Sequence, residues 1–125
     1  MQSPSNREYQ AASVELLQWS IARSPHEVVV VLEGEIDLST ADALSTLLAE
    51  VLAERPRRLV VDLAGVSFLD STGIKCLLIA TDSAATTGCR LVVRRPTRAI
   101  LRIFTICDVA EKLLGDLAGD ASVAR

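Results

Sequence analysis

The sequence is short of aromatic residues, of histidine and of long apolar runs, and each shortage closes off a class of function. Only four of its 125 residues are aromatic (Tyr9, Trp19, Phe68 and Phe104), so any core must be built from Val, Leu, Ile and Ala. The single histidine, His26, follows Pro25 in a turn signal. A Ser-His-Asp or Cys-His site would have to recruit it, and nothing places it near a nucleophile. Three cysteines with no CxxC spacing make neither a disulfide framework nor a zinc site. There is no GxxxxGK[ST] or GxGxxG segment to cradle a phosphate. No apolar run approaches the roughly 20 residues of a membrane span; Cys76 to Ala80 stops at Thr81-Asp82. Met1 to Ala11 lacks the apolar segment of a secretory signal. The expectation is a reduced, cytoplasmic protein that is not an enzyme, with no cofactor, no metal and no direct membrane insertion.

Charge narrows the partners. Thirteen basic and sixteen acidic residues leave a net −3, whereas a nucleic-acid binder needs a basic surface to release counterions. Arg94, Arg95, Arg98 and Arg102 do cluster. They read as a solvated face, with an acidic partner as the alternative.

Half of the residues are hydrophobic, enough for one domain with its own core. Residues 1–13 are polar and aperiodic and are expected to be a disordered lead-in; 14–114 carry the domain; 115–125 are expected to fray. Val14 to Arg23 suits an edge strand, Ser24-Pro25-His26 a turn, and Val28 to Leu32 a strand buried on both faces and ended by Gly34. Ser39 with Asp42 resembles a capping box, and Leu44, Leu47, Leu48 and Val51 give a helix over about 40–54, closed by Pro56. Leu59 to Leu63 reads as a strand and 72–87 as a helix with Gly88 at its C′ position. A strand over 90–94 and a Thr97-capped helix burying Ile100, Leu101 and Phe104 follow. The order β-β-α-β-α-β-α predicts an α/β sandwich: a mixed, largely parallel sheet of four or five strands with helices packed against it.

Two segments lie at the carboxyl ends of predicted strands, where open α/β sheets engage ligands and partners. One is Gly34-Glu35-Ile36-Asp37-Leu38-Ser39-Thr40; the other is Val66-Ser67-Phe68-Leu69-Asp70-Ser71-Thr72-Gly73. Ser71 is expected at a helix N-terminus beside unpaired backbone N–H groups, which favour a phosphate. Asp70 and Asp37 nearby would repel the roughly −1.5 to −2 charge of a phosphoserine. Such a group can be accepted by the fold while it rewrites the surface field. The plainer reading is that Asp70, Ser71 and Thr72 simply cap a helix.

Gly34-Glu35-Ile36-Asp37, Thr40-Ala41 and Phe68-Leu69-Asp70-Ser71-Thr72-Gly73, in this order, resemble the STAS domains of bacterial anti-sigma factor antagonists, over about Val28 to Val109. The resemblance implies that Ser71 is a phosphoserine written by an anti-sigma factor kinase of the GHKL type. It further implies a PP2C-type phosphatase that resets the site, and acidic flanks at Asp37 and Asp70. Asp37, Ser39, Thr40, Asp70, Ser71, Thr72 and Gly73 are the implied partner-binding residues. Cys107-Asp108 departs from the family's Ser-Gly or Thr-Gly after the third helix, where glycine serves a positive φ. Two alternatives remain open. One is a STAS subunit of a stressosome-like or lipid-transport complex. The other is a redox sensor using Cys76, Cys107 or Cys89, with Cys76 and Cys107 the expected pair.

Overall fold

The computed structural model describes residues 8–14 and 16–115. Five strands, β1 (Glu8–Val14), β2 (Leu17–Arg23), β3 (Glu27–Ile36), β4 (Arg58–Leu69) and β5 (Arg90–Arg94), form one sheet in that order. β1/β2 and β2/β3 are antiparallel; β3/β4 and β4/β5 are parallel. Helices α1 (Ala41–Ala53) and α2 (Ser71–Thr86) follow β3 and β4, the first two of the three parallel strands, and α3 (Arg98–Ile106) and α4 (Ala110–Leu114) close the described chain.

β1 corrects the expected lead-in, of which residues 1–7 lie outside the described residues. Glu8 to Val14 pair in full register with Arg23 to Leu17, and backbone pairing to a hairpin partner needs no apolar periodicity. The predicted edge strand over 14–23 is therefore an interior strand beginning at Leu17. The β2–β3 turn stands where Ser24-Pro25-His26 placed it, held by the Ser24 N–H to Glu27 O bond of 2.9 Å. The valine run is not buried evenly. Val28, Val30 and Leu32 are buried with Leu59, Val61, Leu91 and Val93 in one core, while Val29 and Val31 on the other face are half-exposed. Both helix-bearing crossovers thus serve one side of the sheet.

Gly34 bends β3 rather than ending it. Its φ is +112°, and a Cβ there would strike the Leu16 carbonyl oxygen, so only glycine fits. β4 is longer than expected because it bulges twice against β3. Val31 faces Asp62 but Glu33 faces Gly65, and Gly34 faces Val66 but Glu35 faces Phe68. Each step leaves one extra residue on β4. The Asp62 carboxylate holds the first bulge by accepting the Ala64 N–H at 2.9 Å. From Leu63 onward the buried positions consequently fall every third residue, at Leu63, Val66 and Leu69, instead of alternating.

Helix ends follow local chemistry. Gly88, at φ +77°, closes α2 with Cys89 N–H to Ala84 O at 2.9 Å and Gly88 N–H to Ala85 O at 3.3 Å, a Schellman pair. α3 ends the same way, with Val109 N–H to Phe104 O at 2.9 Å and Asp108 N–H to Thr105 O at 3.1 Å. Here Asp108 carries the left-handed φ of +60° that glycine would take without strain. Thr97 caps α3 by accepting the Ile100 N–H at 3.3 Å, and Ile100 and Phe104 are buried as expected. α4 was not foreseen; its five residues are too few for periodicity, yet Leu113 and Leu114 are fully buried. Of the expected tail, residues 116–125 lie outside the described residues.

Candidate functional site

The two strand-to-helix junctions sit side by side. Ile36 pairs with Leu69 at the ends of β3 and β4, and the Asp70 N–H donates to Ile36 O at 3.2 Å. Asp37 and Asp70 are the next residues on the two chains beyond that last pair. Gly73 makes the approach possible. A Cβ there would come 2.7 Å from the Ile36 Cγ2, so the first turn of α2 lies directly on the core.

At the second junction Asp70 is the N-cap. Its Oδ1 accepts the N–H groups of Thr72 at 2.9 Å and Gly73 at 3.2 Å. The expectation of unpaired donors around Ser71 is corrected here, because the carboxylate already occupies the two that point into the cap. Ser71 is the first helical residue and is exposed. Its hydroxyl makes no hydrogen bond within the described residues.

At the first junction the predicted capping box does not form. Thr40, not Ser39, stands at the N-cap of α1, with no side-chain capping bond. Its buried Oγ1 instead accepts the Asp37 N–H at 3.0 Å and donates to Glu35 O at 3.0 Å, stapling the loop shut. Asp37 Oδ1 accepts both Ser39 N–H at 2.9 Å and Ser39 Oγ–H at 2.7 Å. That hydroxyl bond holds the Asp37 pKa below the usual carboxylate value, so the group is ionised at neutral pH. Nothing joins Asp37 to the Ser71 hydroxyl. The sharper cause of the difference is chain geometry: Asp37 is followed by a turn, Asp70 directly by a helix.

The family model described as "Mlab, STAS domain" matches residues 19–115, from within β2 through α4, and includes both junctions. The chain belongs to the STAS domain family. It is 43% identical over 65 residues to the anti-sigma-F factor antagonist RsfB of Mycobacterium tuberculosis. That match covers 50% of this chain and 53% of the relative, so the chain spans about half the length of the curated relatives it matches. An anti-sigma factor antagonist from Mycobacterium paratuberculosis superposes with a TM-score of 0.64 at 25% identity, over 94% of this chain and 92% of that one. SpoIIAA in its unphosphorylated form superposes equally well, TM-score 0.64 over 90% of each chain, at 16% identity, and so supports the fold.

Within this STAS domain the expected site residues separate by depth. Ser39 and Ser71 are exposed, Asp37, Asp70 and Thr72 are half-exposed, and Thr40 and Gly73 are buried. The last two are corrected from partner-facing to loop-shaping. One holds two backbone groups and the other admits the helix to the core. The thiols do not converge. Cys76 faces α1, 3.3 Å from Ser45 Oγ in an α1–α2 groove of about 320 Å³, whereas Cys107 caps α3, whose helical neighbour is α4. Cys89 is buried, and burial pushes its thiol pKa up, which keeps it protonated and unreactive. The arginine patch is also divided. Arg94 donates to Leu114 O at 2.9 Å and Arg95 reaches Asp62 Oδ2 at 2.9 Å, which leaves Arg98 and Arg102 on the outer face of α3. Among the described residues, no helix is long and apolar enough to cross a membrane, and no group of three acidic, Cys or His side chains could hold a metal ion.

Proposed function

We propose that this STAS domain is an anti-sigma factor antagonist, a binding protein and not an enzyme, switched by phosphorylation of Ser71. Unmodified, it binds an anti-sigma factor of the GHKL kinase type and so releases a sigma factor for transcription. The kinase transfers the γ-phosphoryl group of ATP to Ser71: the Oγ–P bond forms, the bond to the β-phosphate breaks, and ADP leaves. A PP2C-type phosphatase reverses the change.

One observation carries this reading: an exposed, unpartnered Ser71 hydroxyl at the first position of α2, flanked by a carboxylate that already holds the helix N–H groups. A phosphate there adds a charge of about −1.5 to −2 beside Asp70, at the junction neighbouring that of Asp37. It has few open donors to satisfy it, so the charge faces outward, against any docked partner. The sequence match to RsfB and the structural match to the Mycobacterium paratuberculosis antagonist, 25% identical, support the same role.

The test is a pull-down with unmodified protein and ADP, followed by incubation of the captured kinase with ATP. The expected outcome is a soluble GHKL-type ATPase and one phosphate, on Ser71. Ser71→Ala should bind and stay unmodified, and Ser71→Glu should bind poorly. Phosphate on Ser39 or Thr72 with Ser71 untouched would sink the assignment. Capture of a membrane ATP-binding-cassette complex in its place would favour the transport-subunit alternative.

A further inference from the structure

Five large apolar side chains remain exposed among the described residues, and three of them crowd one end of the sheet. Leu38, in the β3–α1 loop, is 79% exposed; Phe68, near the end of β4, is 48% exposed; Leu16, in the β1–β2 turn, is 46% exposed. They are linked through the backbone. Leu16 O accepts the Glu35 N–H at 2.9 Å, and Glu35 pairs across the sheet with Phe68. The other two, Ile79 on α2 and Ile106 on α3, stand on helices away from this rim.

Leu38 is not exposed because its loop is loose. Asp37 and Ser39 on either side of it are tied together, and Thr40 Oγ1 pins the backbone from below. A rigid loop holding a leucine in water is preorganised for burial, since binding has little conformational freedom left to remove. The surroundings define the occupant by charge. Glu33, Glu35, Asp37, Asp42 and Asp70 face solvent wholly or in part along residues 33–42 and 67–75, against the single cation Lys75.

We propose that Leu38 and Phe68 are the apolar anchors by which the unphosphorylated domain docks, and that they enter a pocket on the anti-sigma factor rimmed by lysine or arginine. This rests on the function proposed above. Ser71 sets whether the rim accepts that partner, and the two anchors supply the contact area that the flanking hydroxyls and carboxylates do not.

The experiment is calorimetry with the purified, ADP-loaded anti-sigma kinase recovered in the pull-down. Leu38→Ser and Phe68→Ser should each raise Kd at least tenfold (about 1.4 kcal/mol), with circular dichroism unchanged. Leu38→Met, which conserves volume, should bind within threefold of wild type. Ile79→Asn and Ile106→Asn should change Kd less than twofold. Binding should weaken with salt, and less steeply in Glu33→Gln. If wild type binds the kinase and is phosphorylated while Leu38→Ser and Phe68→Ser bind within twofold of it, the anchors are overturned and the function stands. If wild type binds no anti-sigma factor, both fall. A wild-type dimer in sedimentation equilibrium that Leu38→Ser dissolves would put a second copy of this chain on the rim and overturn the proposal.

Discussion

The two junctions are built from nearly the same letters, Asp37-Leu38-Ser39-Thr40 and Asp70-Ser71-Thr72, and they use them in opposite ways. At the first, both hydroxyls are engaged: Ser39 on the Asp37 carboxylate, Thr40 on the backbone of Asp37 and Glu35. At the second, the carboxylate alone caps the helix, and the hydroxyls of Ser71 and Thr72 have no partner within the described residues. One junction is a closed scaffold and the other a scaffold with a nucleophile left over. The difference lies in what each acid accepts: Asp37 takes the Ser39 hydroxyl as well as its N–H, whereas Asp70 takes only the N–H groups of Thr72 and Gly73 and so leaves the Ser71 hydroxyl over.

The largest stability effect should separate the two threonines. Thr40→Val keeps the shape but strands the Asp37 N–H and Glu35 O, in a position 1% exposed. A loss of about 2 kcal/mol is expected, since an unsatisfied buried polar group costs roughly 1–3 kcal/mol. Thr72→Val removes a hydroxyl with no partner and should stay within about 0.5 kcal/mol of wild type. Urea titration of both variants gives the comparison. Equal losses would mean that Thr72 is wired in as Thr40 is, and the distinction between the junctions would collapse.

Much of this was legible before any coordinates. Apolar spacing placed α1, α2 and α3, Gly88 marked the left-handed end of α2, and the Asp-Ser-Thr-Gly motif marked its capped start. The misses have physical causes. β4 was cut short at Leu63 because two bulges turn its burial period from two to three, so Val66 and Leu69 did not read as strand. β1 was hidden because an edge strand can be held by backbone pairing alone. The capping box was misassigned because Ser39, the right residue type at the right spacing, is captured by Asp37 before it can reach the helix. Whether a serine hydroxyl donates to a nearby carboxylate or accepts a helix N–H has no periodic signature.

The next prediction compares the two helix starts. Asp70→Ala frees the Thr72 and Gly73 N–H groups and should lower stability by about 1 kcal/mol, the usual loss for an N-cap carboxylate. Ser39→Ala, at the position where a capping box was expected, should change stability by less than about 0.5 kcal/mol, because its hydroxyl bonds an exposed carboxylate and no helix donor. Chemical denaturation of the pair decides this. If Ser39→Ala is as costly as Asp70→Ala, α1 is capped from Ser39 in solution and the first junction resembles the second.

The smallest effect is the charge on Asp37. Its pKa is lowered in the folded chain, from an ordinary value of 3.8, by the Ser39 hydroxyl and by backbone N–H groups. The sign follows from proton binding: a depressed folded pKa means that the unfolded chain takes up the proton first as pH falls. The stabilising contribution is therefore fully present above the unfolded value and disappears as pH drops through the lower folded value. Asp37→Asn keeps an oxygen for the Ser39 donors but has no charge to titrate. The urea midpoint of wild type should exceed that of Asp37→Asn slightly at pH 6, and the gap should close below pH 3.8. Other carboxylates titrate in both proteins and cancel in the difference. Phosphorylation by the kinase reads the other half of the question. A tenfold loss in Asp37→Asn with the midpoint nearly unchanged puts the Asp37 charge to use at the docked partner. If phosphorylation falls only in proportion to stability, Asp37 belongs wholly to the closed scaffold, and Ser71 acts without help from the first junction.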